Sequence, residues 1–256
     1  MPRNRQLAYW FNLHNVAVIE QIAQAYPVKQ PSRITIGPDA VPMDQAKFIT
    51  VGGRKLSPRD IRTQIVYPNW QDPRVIYGFF RGEIGGPSIL NEAFAADNIN
   101  ALLDEAAYDF VNSLRGAEKR GQILHVSTLY AEAGTTLFPN FQNDLRAHLL
   151  AYSTERVRRE IEGTRSIQPS IWEADISDLA GAEKDPELSY VAFNLDPRDW
   201  GFNHLDAPLD IPGVPRNVAR LVQERNDKFQ RMIRKGDFQG RVIVLPQDYD
   251  PGAEIQ

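Results

Sequence analysis

With 256 residues, 42% of them hydrophobic, the chain is long enough to bury one sizeable core. Its 33 acidic and 29 basic residues leave a net charge of −4, which argues against a general nucleic-acid binder. The absence of cysteine excludes disulfides, cysteine-type zinc sites and thiolate catalysis, and no apolar run has the length of a membrane span.

The first predicted element is a helix over residues 7–26, where Leu7, Trp10, Phe11, Val18, Ile19 and Ile22 fall near helical spacing and Pro27 closes the run. Asn12, His14 and Asn15 interrupt its apolar stretch, so it does not read as a signal peptide. The abrupt start suggests that a further segment, with an export signal, precedes Met1. On that reading the protein is exported, and otherwise it is cytoplasmic. A loop follows, then two short strands around Gly52-Gly53, a plausible hairpin turn. Ser57, Pro58 and Asp60 fit the N-cap, first helical position and third helical position of a short helix. DPRVIYGFF reads as a buried strand ending near Arg81.

Residues 93–115 read as a helix with Ile99, Leu102, Leu103, Ala106, Phe110, Val111 and Leu114 on one face. ILHVSTLY is a strand candidate, and residues 139–163 form one helix or two in succession, ending at Gly163. From residue 165 onward the chain is rich in proline and aspartate, which predicts an irregular surface excursion. NVARLVQERNDKFQRMIRKG is then a final amphipathic helix and RVIVLP a last strand. The fold class expected is α+β, with helices packed on a small sheet. Residues 1–164 form the main domain and 165–256 an extension packed on it as a single globular unit.

Four segments resemble, in order and spacing, the domain of unknown function 547 family. AYWFNLHNVAVI is similar to its A-[FY]-W-I-N-L-Y-N opening, VGGRKLSPRDI to its G-x-K-L-S-L-D-D-I segment, and DPRVIYGF to its D-P-R-I-H-F-A-L strand. NINALLDEAAYDFVNS looks like the helix after its Cys-Pro motif, so the likeness spans roughly residues 8–152. The departures are chemical. The family's I-E-H is replaced by Ile61, Arg62 and Thr63; Ile76 stands where it has His; Arg81 and Gly86 stand where it has its two Cys. The resemblance therefore implies a retained scaffold that has lost a polar cluster.

Several groups are candidate sites. Asn12 and Asn15 match the family's asparagines, and their amides bond either neighbouring backbone or a ligand. Arg81, Gly82, Glu83, Gly85 and Gly86 form a turn that could hold a carboxylate or phosphate. The plainer reading has Arg81 filling the missing cysteine's space and pairing with Glu83 or another carboxylate. His14 and His148 read as a packed and a partly exposed histidine. His125, near Ser127 and Thr128, lacks the elbow that triad chemistry needs. Asp196, Asp199, His204, Asp206 and Asp210 have the composition of a metal site but match no standard spacing, and the plainer reading makes them solvated residues of Asp-Pro turns.

Two functions are carried forward. The first is a non-catalytic scaffold or binding protein, with a small anion or another protein as partner and no cofactor. The alternative is a metal-dependent hydrolase built on the Asp196–Asp210 cluster.

Overall fold

The apolar stripe at the start of the chain folds as α1 (Arg3–Ala25) and buries Leu7, Phe11, His14, Val18 and Ile22. In the computed structural model, which describes residues 1–177, it is the first element of an α+β fold. Two small hairpins follow, β1 (Thr35–Ile36) with β2 (Val41–Pro42) and β3 (Ile49–Val51) with β4 (Arg54–Leu56). Gly52 and Gly53 join the second pair with φ of 56° and 78°, the double positive φ that a two-residue hairpin turn requires.

Ser57 then caps α2 (Pro58–Asp60) in a reciprocal capping box with Asp60. The helix widens at once into a π-helical stretch, Ile61–Val66, before α3 (Tyr67–Asn69). The wide turns place Ile61 and Arg62 together on the buried side.

The run read as a buried strand is instead a 3-10 helix, Pro73–Gly78. A continuous apolar run carries no period of its own, and local capping decides. The Asp72 carboxylate accepts from the Arg74 N–H, and Pro73 supplies the helical φ. Val75 to Gly78 are all buried. Added at Gly78, a Cβ would lie 2.5 Å from the Phe11 ring, so α1 packs directly on this backbone.

The next helix, α4, spans Ile99–Val111 and starts later than its sequence pattern suggests. The Asn98 side chain holds the turn before it by bonding Ala93 O and Ala95 N. The strand candidate is β6 (Ile123–Ser127), antiparallel to β5 (Ala117–Arg120). Of the last helical run, α5 (Leu129–Leu137) precedes α6 (Phe141–Tyr152) and α7 (Glu155–Glu162), the latter two separated where Thr154 caps Val157 N.

Ser166–Ile171, expected to begin an irregular region, is strand β7, parallel to β6 in the order β5-β6-β7. Its inward residues Ile167 and Ile171 join the buried set, and the Gln142 amide braces it by bonding both Ile167 N and Ile167 O. A main core gathers residues of α1, α4, α5 and α6. A smaller one holds Val18, Ile22, Ile34, Met43 and Phe80. The final amphipathic helix, the last strand and the Asp196–Asp210 cluster lie outside the described residues.

A buried ion cluster as the candidate functional site

Arg62 is fully buried, and all five of its N–H groups have a partner. Its Nη1 and Nη2 reach Asp44 at 2.8 and 2.9 Å, and its Nε and Nη2 reach Glu132 at 2.9 and 3.0 Å. The remaining Nη1 donor meets His14 Nε2 at 3.0 Å. Arg81 approaches the same carboxylate from the other side, with Nη2 at 2.6 Å and Nη1 at 3.2 Å, and Tyr67 adds its hydroxyl at 3.2 Å. Two arginines therefore face two carboxylates, and the cluster is electrically balanced.

The electrostatics follow from that geometry. Burial would push the Glu132 carboxyl up, but the Arg81 and Arg62 guanidiniums hold it well below the usual carboxylate range. Asp44 is lowered for the same reason: burial opposes ionisation, and Arg62 overcomes it. Burial would also lower Arg62, yet Glu132 and Asp44 raise it. Burial and the neighbouring Arg62 charge push His14 down to about 3, so the ring is neutral. Burial, with Glu132 beside it, raises Tyr67.

Sequence positions alone did not bring these groups together. Arg62 and Arg81 are two of the five positions that depart from the family pattern, and they converge. Ile76 is buried in the apolar core. Thr63 turns away, donating to Arg59 O within its own helix, and Gly86 backs the Arg81 side chain. Arg81 pairs with Glu132 rather than Glu83. Asp44 and Glu132 carried no sequence signal, because one acid in a loop and one in a helix look like surface residues until the buried arginine is placed.

Asn12 and Asn15 each grip backbone through both amide atoms. Asn12 bonds Phe94 O and Phe94 N at 2.8 and 3.0 Å. Asn15 bonds Gly78 O and Phe80 N, both at 3.0 Å. In the glycine-rich turn, Ile84, Gly85 and Gly86 donate their N–H groups to Asp175 O, Glu173 O and Glu83 O. Gly82, at φ 77°, faces Ile22, and Arg115 bonds Ile84 O and Gly86 O.

The other described histidines, His125 and His148, bond to neighbouring side chains. His148, expected to be partly exposed, is buried: its Nε2 lies 2.8 Å from Tyr77 Oη, which lies 3.2 Å from Tyr130 Oη. A helix face that looks mixed in sequence is here covered by the 3-10 turn. Burial lowers His148 to about 4. His125 Nδ1 pairs with Ser170 Oγ on β7, and Ser127 Oγ accepts from Leu129 N. Among the described residues, no group of three or more His, Asp or Glu could hold a metal ion, and no helix is long and apolar enough to cross a membrane.

No curated protein and no solved structure matches the chain. The family model described as "Protein of unknown function, DUF547" matches residues 1–111, which hold His14, Asp44, Arg62, Tyr67 and Arg81 but not Glu132. Through those first 111 residues, somewhat under half of its length, the chain is similar to the DUF547 family.

Proposed function

We propose that this domain is a non-catalytic scaffold or binding module, in which an ion network occupies the place of the polar cluster of the resemblance. The observation that carries the reading is the saturation of Arg62: five donors meet five acceptors, which engages both carboxylates and the imidazole of the cluster. Its one imidazole, His14, is committed to Arg62 and Asn15. The turn of Arg81, Gly82, Glu83, Gly85 and Gly86 remains the place where a small anion or a protein partner would engage, through the half-buried Arg81 and Gly85, since Gly82, Glu83 and Gly86 are buried. Arg81 gives one bond from each terminal nitrogen to Glu132 and its buried Nε has no partner, so a small anion there need not displace Glu132. Asn15 holds the backbone just before this turn, at Gly78 and Phe80, and Asn12 holds it after the turn, at Phe94.

The test pairs melting with titration. Phosphate and acetate are titrated into the wild-type protein and Arg81→Ala. The scaffold reading expects a lower melting temperature for the variant and no anion-dependent stabilisation of either protein. Saturable stabilisation of the wild type by phosphate, lost in Arg81→Ala, would make the domain an anion-binding one instead.

A further inference from the structure

Glu83 is a buried carboxyl at a crossing of two chain segments. It forms an antiparallel bridge with Ile176, and its residue is only 5% exposed. Around that bridge, residues 173–177 are stitched across the glycine-rich turn. Ile84 N–H donates to Asp175 O at 2.9 Å, Gly85 N–H to Glu173 O at 2.9 Å, and Ser177 N–H to Gly82 O at 2.8 Å. On the far side, Ile176 N–H reaches Lys29 O at 2.7 Å and the Gln30 amide reaches Asp175 Oδ1 at 3.0 Å. The fit is tight, since a Cβ on Gly85 would lie 2.7 Å from Glu173 N.

We propose that residues 173–177 are a pH-sensitive strap, closed while Glu83 is protonated and loosened when Glu83 ionises. The groups around the carboxyl explain why its charge is poorly tolerated. Ser32 is its close donor, from side chain and backbone. Arg81, the cation that favours its charge, directs one bond from each terminal nitrogen to Glu132 and leaves its buried Nε without a partner, and Asp44 adds repulsion. The strap contributes a further carboxylate at Asp175, held by Gln30, and one at Glu173, which has its own partner. Arg115 on the opposite side is committed to the turn's carbonyls and to Ser88. Burial accordingly pushes Glu83 up to about 7, against the smaller opposing effects of Ser32 and Arg81.

The sign follows. Opening the strap hydrates Glu83 and returns it toward its ordinary value of 4.5. The closed state therefore holds a proton that the open state releases. Closure is complete below the lower value and weakens as pH rises through the upper one. The opening equilibrium grows roughly tenfold per pH unit in that window and levels off above it.

Hydrogen exchange on the full chain tests this, with rates corrected for intrinsic exchange and read at the amides of Ile84, Gly85, Ile176 and Ser177. Between about pH 5 and about pH 9, the wild type should lose protection on the order of 50-fold at these amides. Leu124 and Val126 in β6 should stay unchanged. Glu83→Gln should hold its strap protection at every pH. Ser32→Ala, which removes a donor to the ionised form, should move the loss to higher pH. A flat wild-type profile overturns the proposal, as does an equal loss in β6, an unchanged pH response in Glu83→Gln, or an unmoved midpoint in Ser32→Ala. If Glu83→Gln does not fold, the wild-type and Ser32→Ala profiles decide between the same outcomes.

Discussion

Arg62 Nη1 and His14 Nε2 lie 3.0 Å apart, and this one contact settles where the imidazole keeps its proton. A guanidinium can only donate, so Nε2 accepts and the proton sits on Nδ1, which donates to Asn15 Oδ1 at 3.1 Å. A second proton on the ring would set two donors against each other in a fully buried site.

Acid lability should follow from that arrangement. His14 at about 3 and His148 at about 4 stay neutral in the folded protein, while the unfolded chain protonates both near 6.5. Each contribution is therefore present at neutral pH and lost as pH falls below about 6.5. Glu83, held near 7, works in the opposite direction and gains stability over the same range. Two histidines against one glutamate leave a net loss of about 1.4 kcal/mol per pH unit between about pH 6.5 and about pH 4.5. Urea denaturation across that range should show this slope, and Glu83→Gln should steepen it. Equal stability at both ends would refute the assignment.

Removing the shared carboxylate should be more damaging than its partial exposure suggests. Glu132→Ala leaves Arg62 and Arg81 facing each other across a space with one acid remaining, at a cost of about 3–5 kcal/mol. Arg62→Lys keeps the charge but loses the two forks, and it should cost a comparable amount. Chemical denaturation measures both; a loss under 1 kcal/mol for either (about the worth of a surface pair) would show that the cluster is not cooperative.

Asn15→Ala should destabilise by about 1–3 kcal/mol, because Gly78 O and Phe80 N lose their partner at a buried turn. Asn12→Ala should cost a similar amount at Phe94. The two sites act on different loops. The double variant should therefore come close to the sum of the singles, and a marked departure from additivity in a double-mutant cycle would contradict this independence.

Gly85→Ala offers a steric counterpart to the charge effect at Glu83. Its methyl would meet the Glu173 backbone at 2.7 Å, so the strap must move whatever the pH. Protease susceptibility around residues 173–177 should rise while β6 amides keep their protection. Unchanged susceptibility would mean that the turn relaxes instead.

Elements with their own punctuation were legible in the sequence. Ser57, Pro58 and Asp60 announced a capped helix, and Gly52-Gly53 announced a hairpin, because those signals act over three or four residues. The Pro73–Gly78 turn and β7 were misread for the converse reason. One has no periodicity, and the other is a strand only because β6 lies beside it. The candidate site was half visible. Arg62 and Arg81 stood out as odd residues in a family pattern, but their acceptors came from a loop and a helix far away in the chain. No local rule marks Asp44 or Glu132, since their burial is produced by the tertiary fold that the arginines help to close.

The amides of Asn12 and Asn15 have a consequence for how this fold tolerates change. Both side chains bond main-chain atoms of their targets and none of the side-chain atoms at Phe94, Gly78 or Phe80. The helix thus reads the path of those loops without reading their letters. Apart from proline, which would remove the N–H at Phe80 or Phe94, substitution at the gripped positions is limited by packing, as with the Phe11 ring against Gly78, and leaves the grip itself intact. A fastening of this kind lets the turns around a site be rewritten while their position on α1 is preserved.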